Sequence, residues 1–78
     1  MKIAVTKDHI KYGEAGSDNE CPIALAFSEI FPNETIEVDG NNVIISRSQR
    51  SFQLPKRARN FIDTFDKRKP VKPFTFTI

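Results

Sequence analysis

The feature that most constrains the fold is the spacing of apolar residues. In some segments apolar residues alternate with polar ones, as in a strand, and in others they recur every three or four residues, as in a helix. The clearest strand signal lies in the middle, where Ile36 and Val38 share one face and the β-branched run Val43–Ile45 follows. Between them, Asp39–Asn42 has the composition of a tight turn. The sequence therefore predicts a β-hairpin here, with residues 52–54 as a short third strand.

A helix that is apolar on most of its circumference is predicted to begin near Pro22. Proline suits the first position of a helix, because the N–H that it lacks would have no partner there. The N-cap is therefore predicted at Asn19 or Cys21. The apolar residues of this helix are Ile23, Ala24, Leu25, Ala26, Phe27, Ile30 and Phe31. A helix that is apolar on most of its faces is typical of a central, buried position.

Two further helical segments are predicted. Pro55 can begin an amphipathic helix, whose apolar residues fall at i, i+3, i+4 and i+7. This apolar stripe consists of Ala58, Phe61, Ile62 and Phe65. Near the N-terminus, Thr6 can cap a short helical turn that runs to Tyr12 and stops at Gly13.

Short alternating strands are predicted near both ends of the chain, over residues 2–6 and 71–78. With the elements above, the order is strand, helical turn, helix, three strands, helix and strand. This order predicts an α+β fold in one domain over residues 1–78. We expect about four antiparallel or mixed strands in one sheet, packed against two helices and the short N-terminal helical turn.

The chain has 78 residues and one cysteine, which excludes an internal disulfide and fits a reducing compartment. Residues 1–5 lack the apolar run of a signal peptide, and no stretch approaches the roughly 20 apolar residues that cross a membrane. These observations predict a cytoplasmic protein. A domain of this size buries only about 60% of its unfolded surface. Self-association into a homo-oligomer is one way to bury more.

Charge is divided unequally along the chain. Residues 1–39 contain three lysines and eight acidic residues, whereas residues 40–78 contain nine lysines and arginines and two aspartates. The cations of the second half predict a positive surface that meets phosphate, nucleic acid or an acidic protein. The alternative is a solvated face, in which Asp63 pairs with Arg59 and Lys67 at helical spacing.

The candidate ligand-binding residues are two groups of cations and one aromatic residue. Arginine binds phosphate oxygens through two parallel hydrogen bonds, and lysine adds a point charge. Tyr12 can stack on a base or a ribose; the alternative is that it covers the edge of the core. The first group is Arg47, Arg50, Lys56, Arg57 and Arg59, and the second is Lys67, Arg68 and Lys69.

The sequence predicts no catalytic, metal or cofactor site. One cysteine and one histidine, Cys21 and His9, are too few for the three or four ligands that zinc prefers. A Cys21–His9 dyad is the catalytic alternative, but the neighbouring Asp18 and Glu20 disfavour a thiolate. A free cysteine at the start of an apolar helix more often packs as a small hydrophobic residue. We therefore expect a non-enzymatic protein.

Seven short segments, spread over almost the whole chain, carry a resemblance to a known group of proteins. They are Ile3–Thr6, His9–Ile10, Cys21–Ala26, Leu54–Pro55, Phe61–Ile62, Phe65–Asp66 and Pro70–Phe76. In these segments the chain resembles small uncharacterised proteins of tailed bacteriophages and prophages. The resemblance implies a phage origin and no particular enzymatic activity.

Small accessory phage proteins of this kind often counteract host antiviral defence, so the resemblance favours three hypotheses. The leading one is a sponge that sequesters an anionic nucleotide immune signal. The second is an inhibitor that binds a host defence protein directly, and the third is a nucleic-acid-binding protein. All three act in the host cytoplasm without a membrane partner, and all three require the cationic residues to be accessible.

Overall fold

The structure, a computed structural model, describes residues 1–78. In chain order its elements are β1 (Lys2–Val5), α1 (Lys7–Tyr12), α2 (Pro22–Ile30), β2 (Ile36–Val38), β3 (Asn42–Ile45), β4 (Arg50–Gln53), α3 (Lys56–Asp66) and β5 (Phe74–Thr77). The strands form two antiparallel sheets, β1–β5 and β2–β3–β4. The predicted α+β class is confirmed. The expected single sheet of about four strands is corrected to two sheets with five strands in total.

The first sheet joins strands from opposite ends of the sequence. Ile3 of β1 lies opposite Phe76 of β5, and Val5 lies opposite Phe74. Ile3, Val5 and Phe76 are buried, so both strands turn the same face towards the core. The alternation of each strand can be read from the sequence, but its pairing partner cannot, because that partner is far away in the chain.

The second sheet is a meander built from the predicted hairpin and a third strand. Val38 lies opposite Val43 across the hairpin, and both side chains are buried. The turn contains Gly40 at φ +80°, a backbone conformation that glycine adopts without steric cost. The carboxylate of Asp39 accepts a hydrogen bond from the Asn42 N–H at 3.0 Å. Turn chemistry and apolar alternation therefore specify the same register.

Helix α2 is the central buried helix that the sequence predicts. Its N-cap is Cys21, whose Sγ accepts a hydrogen bond from the Ala24 N–H at 3.4 Å, and Pro22 occupies the first helical position. Phe27 is fully buried, as are most of its neighbours on the same helix. Because α2 contacts α1, β1 and β2, it packs against both sheets and joins them into one core.

The short helix α1 is tied to α2 through His9. The Thr6 hydroxyl accepts a hydrogen bond from the His9 N–H at 3.3 Å, and His9 Nδ1 accepts one from the Thr6 N–H at 2.9 Å. This is a capping box in which histidine replaces the usual Glu or Gln. Since Nδ1 accepts, the neutral ring carries its proton on Nε2, which donates to Glu29 of α2.

Helix α3 packs its predicted apolar stripe against β5. Ala58 and Phe61 are buried, and Phe65 is half-buried. The Phe61 ring stacks on Phe74 with centroids 4.7 Å apart, and on Phe65 with centroids 6.0 Å apart. The stripe is confirmed as the packing face of the helix. No helix of the structure has both the length and the apolar character needed to cross a bilayer.

Candidate ligand-binding site

The C-terminal end of α3 presents cationic residues in a defined backbone geometry. Beyond the helix, the Arg68 N–H donates to the Phe65 carbonyl at 2.9 Å, and the Lys69 N–H donates to the Thr64 carbonyl at 3.2 Å. Arg68 itself is left-handed, with φ +59°. These two bonds around a left-handed residue form a Schellman motif, in which glycine is the usual central residue.

A pocket of about 380 Å³ lies between the end of α1 and the connection from α3 to β5. Its volume falls within the range of about 300–1,000 Å³ that is typical of small-molecule sites. It is lined by Ile10, Gly13, Ala15, Phe65, Arg68, Lys69, Pro70 and Val71. The pocket therefore combines an apolar wall with two adjacent cations.

The lining of this pocket is suited to an organic anion. Ile10, Phe65 and Val71 are half-buried, and they offer an apolar surface to a ring or another non-polar group. Arg68 and Lys69 are exposed, and they take part neither in the ion pair of the chain, Lys67–Asp63, nor in the hydrogen bond between His9 and Glu29. Their charges are therefore free to meet a ligand.

One wall of the pocket is held in position by hydrogen bonds from the loop between α1 and α2. The Gly16 N–H donates to the Asp66 carboxylate at 2.9 Å, which fixes the loop to α3. The Glu14 N–H donates to the Glu20 carbonyl at 2.8 Å and closes the loop on itself. The Asp66 carboxylate is thus engaged by the loop. These bonds favour a pocket that exists before a ligand arrives.

The first predicted group of cations does not line the pocket. Arg47 lies in the turn between β3 and β4, where its Nη1 donates to the Asn33 carbonyl at 3.3 Å. In the same turn, the Ser48 N–H donates to the Glu34 carboxylate. Arg50 is exposed at the start of β4. Arg47 is therefore tied to the loop before β2, in a turn that also contacts the acidic side chain of Glu34.

Lys56, Arg57 and Arg59 are exposed in the first turn of α3. Arg57 lies over the ring of Phe74, with its guanidinium carbon 5.7 Å from the ring centroid. This turn has no acidic residue, and the N-cap Pro55 provides no side-chain hydrogen bond. Cations at the positive end of a helix dipole are electrostatically unfavourable. The contact with Phe74 accounts for Arg57, but helix packing gives no reason for Lys56 and Arg59 here.

The other predicted residues lie near the pocket without lining it. Tyr12 ends α1 next to Gly13 and is 68% exposed, with Lys11 Nζ 5.3 Å from its ring centroid. Lys67 pairs with Asp63 at 3.1 Å, as the solvated-face alternative expects for this residue. The interpretation of these cations as a solvated face also predicts an ion pair between Arg59 and Asp63, but Asp63 pairs only with Lys67.

The two groups of cations do not converge on one small site. Helix α3 has 11 residues and separates its first-turn cations from Arg68 and Lys69 by about 15 Å along its axis. Only Arg68 and Lys69 of the nine predicted residues line the pocket.

The apolar lining of the pocket is absent from the site that the sequence predicts. Phe65 belongs to the helical stripe and is therefore expected in the core, and Ile10 and Val71 lie far apart in the sequence. The one sequence signal for this lining is the run Pro70–Val71 directly after three cations. It places an apolar residue beside positive charge, just before the final strand.

Cys21 and His9 are used structurally. Burial raises the pKa of the Cys21 thiol, opposed in part by the Ala24 N–H, and the negative charges of Asp66 and Asp18 raise it further. His9 is bonded to Thr6 and Glu29, and no hydrogen bond joins it to Cys21. The two side chains therefore do not form a nucleophile–base pair in this structure.

A second pocket of about 500 Å³ has the opposite electrostatic character. It is lined by Gly16, Asp18, Asn19, Thr35, Ile36 and Glu37. Two carboxylates and mainly polar neighbours make it unsuitable for an anion. No group of three or more metal-ligating side chains is present in the structure.

Comparison with known proteins yields no relative: no protein-family model, curated protein or solved structure matches the chain. Function is therefore inferred from the pocket and from the cationic residues themselves.

Proposed function

We propose that the protein is a non-enzymatic binding protein that captures a small anionic ligand of nucleotide type. The observation that carries this proposal is the pocket at the end of α3, where Arg68 and Lys69 stand unpaired beside the apolar side chains of Ile10, Phe65 and Val71. A nucleotide has both parts that such a lining can bind, a flat ring system and phosphate oxygens.

The size of the pocket limits how much of the ligand it encloses. A volume of about 380 Å³ lies near the lower end of the range that is typical of small-molecule sites. This volume suits one base-and-sugar unit rather than a whole dinucleotide. A larger ligand would extend past the rim, where the exposed Tyr12 ring next to Gly13 can cover its outer part.

The resemblance to phage proteins supplies the biological setting of this proposal. In an infected cell, a protein that binds a nucleotide immune signal withholds it from the defence system that responds to it. Sequestration requires affinity and abundance but no bond cleavage, so no residue is assigned a catalytic role. The protein would act in the cytoplasm of the host, as a monomer or as a homo-oligomer.

Heat stabilisation by nucleotides tests the proposal. At a ligand concentration a hundredfold above the dissociation constant, binding adds about 2.7 kcal/mol to the free energy of unfolding. We expect a rise in Tm with at least one ligand from a panel of nucleoside monophosphates, cyclic nucleotides and ADP-ribose. Native mass spectrometry of the same mixtures would report the stoichiometry. A Tm that no ligand in the panel changes would contradict the proposal.

A matched pair of variants locates the effect in the pocket. Val71→Asp adds a carboxylate to the lining, and it should abolish the stabilisation because the new charge repels an anion. Thr75→Asp adds the same charge at an exposed position of β5 outside the lining, and it should leave the stabilisation unchanged. Equal stabilisation of both variants would place binding elsewhere.

A second candidate function is the docking of a larger acidic partner, either a host defence protein or a nucleic acid. It is favoured by the cations in the first turn of α3, which lie outside the pocket and oppose the helix dipole. A partner with many negative charges can engage Lys56, Arg57 and Arg59 together without entering a pocket.

Reversing these three charges tests the second candidate. Replacing Lys56, Arg57 and Arg59 by glutamate suits the helix dipole, and this gain offsets the loss of the contact between Arg57 and Phe74, so the variant should still fold. If the partner is a host protein, we expect the variant no longer to co-purify with it. If the partner is duplex DNA or RNA, we expect the variant no longer to shift it in a gel, whereas the parent binds it with an affinity that falls steeply with salt. The pocket variant Val71→Asp should retain either interaction. Retention by the charge-reversed variant would exclude this surface.

A further inference from the structure

Arg68 adopts a backbone conformation that its side chain disfavours. Its φ of +59° lies in the left-handed region, where a Cβ approaches the following carbonyl oxygen. Glycine is common at this position of a Schellman motif because it has no Cβ. Both hydrogen bonds of the motif involve only backbone atoms, so a glycine at position 68 would preserve them. The arginine is therefore not required by the end of the helix.

The charge of Arg68 is not required there either. Lys67 and Lys69 already supply positive charge at the negative end of the helix dipole, and neither has a positive φ. The Arg68 guanidinium takes no part in the ion pair of the chain, which joins Lys67 to Asp63. Arg68 does line the pocket, beside Lys69. A strained residue with an unpaired charge at a pocket is a candidate for ligand recognition.

We propose that Arg68 is the residue that recognises the anionic group of the ligand, and that this group is a terminal phosphate. The inference rests on the proposed function, because it assigns one contact within the same pocket. A guanidinium presents two parallel N–H donors, which match two non-bridging oxygens of a phosphate. A terminal phosphate has a third non-bridging oxygen and close to two negative charges at neutral pH.

Two adjacent cations distinguish between the classes of phosphate. Arg68 can take two oxygens of a terminal phosphate, and Lys69 can take the third, so that two positive charges meet about two negative charges. A cyclic or bridging phosphodiester has one negative charge and two non-bridging oxygens, and it would leave one cation unmatched. Nucleoside 5′-monophosphates should therefore bind more tightly than the corresponding 3′,5′-cyclic nucleotides.

Gln49 provides a matched control for the strain at Arg68. It is the other non-glycine residue with a positive φ, at +54°, and it lies in the turn between β3 and β4, outside the pocket. Arg68→Gly and Gln49→Gly should each raise Tm by about 3 °C. Each removes the steric strain of a Cβ at a left-handed backbone position, and this gain exceeds the loss that comes from the greater conformational entropy of glycine in the unfolded chain. Only Arg68→Gly should change ligand binding.

The decisive experiment is isothermal titration calorimetry of the parent, Arg68→Gly, Arg68→Lys and Gln49→Gly. The probes are the four common nucleoside 5′-monophosphates and their 3′,5′-cyclic counterparts. We expect the affinity of Arg68→Gly for the 5′-monophosphate that binds best to fall at least about tenfold. Arg68→Lys should lie between the parent and Arg68→Gly, because it keeps the charge and loses the paired donors. Gln49→Gly should bind like the parent.

The outcomes separate this inference from the proposed function. If the parent binds a nucleotide and Arg68→Gly binds it equally well, Arg68 is not the recognition residue and the proposed function stands. If cyclic nucleotides bind the parent as tightly as the monophosphates, the assignment of a terminal phosphate is wrong. If the parent binds neither these probes nor ADP-ribose, the proposed function fails and the inference fails with it.

Discussion

Replacing Phe27 with alanine is expected to lower the free energy of unfolding by about 3–5 kcal/mol, the usual cost of truncating a buried phenylalanine. Phe27 is fully buried on α2, and its ring lies 6.2 Å from that of Phe76, measured between centroids. A chain of 78 residues has a total stability of about 4–12 kcal/mol. The substitution should therefore remove a quarter or more of the total stability of the protein.

Chemical denaturation monitored by circular dichroism measures this loss. Phe52→Ala is the matched control, because Phe52 is only half-buried on the edge strand β4 and should cost less than half as much. Phe27 packs on β5 from the helix that also contacts β2, so its removal weakens the connection between the sheets. Equal losses for the two variants would contradict the central role assigned to α2.

Gly13→Ala is expected to destabilise the protein by about 2 kcal/mol, although its backbone conformation is open to any residue. At a φ of −73°, replacing glycine by alanine normally stabilises a folded protein by about 0.4–1 kcal/mol, because alanine lowers the conformational entropy of the unfolded chain. A Cβ here would lie 2.7 Å from the His9 carbonyl oxygen and 2.7 Å from Cδ of Pro22. A backbone carbonyl and a buried proline ring cannot easily move. The cost of overpacking, up to about 3 kcal/mol, therefore exceeds the gain from the unfolded chain.

Urea denaturation of Gly13→Ala and Gly40→Ala would check this prediction. Gly40 has φ +80°, and no atom lies within 4 Å of the position that a Cβ would take, so its substitution incurs backbone strain alone. We expect Gly40→Ala to cost about 1 kcal/mol, less than Gly13→Ala. A neutral or stabilising Gly13→Ala would mean that α1 and α2 can separate at little cost.

The elements of this fold are predictable because their signals are local. The turn chemistry of Asp39–Asn42 specifies the hairpin, the spacing of Ala58 to Phe65 specifies α3, and Pro22 specifies the start of α2. The division into two sheets is not predictable. Nothing in the residues of β1 indicates that its partner is β5 rather than a strand of the meander.

The candidate site is predictable only in part, for a related reason. Excess positive charge identifies Arg68 and Lys69 among the cationic candidates, but charge alone does not reveal which cations adjoin an apolar surface. Ile10 and Val71 meet only because α1 and the segment before β5 pack together. The left-handed backbone of Arg68 has no sequence signal, since glycine, its usual marker, is absent from Lys67–Lys69.

The pairing of β1 with β5 has a consequence for biosynthesis. Residues 2–5 leave the ribosome first among the elements, yet their partner strand is made last, so the first sheet cannot form until synthesis of residues 74–77 is complete. The meander, whose contacts are local, has no such delay. We therefore expect the meander of the nascent chain to be ordered at a stage when β1 is still exposed and unpaired, because β5 has not yet been made.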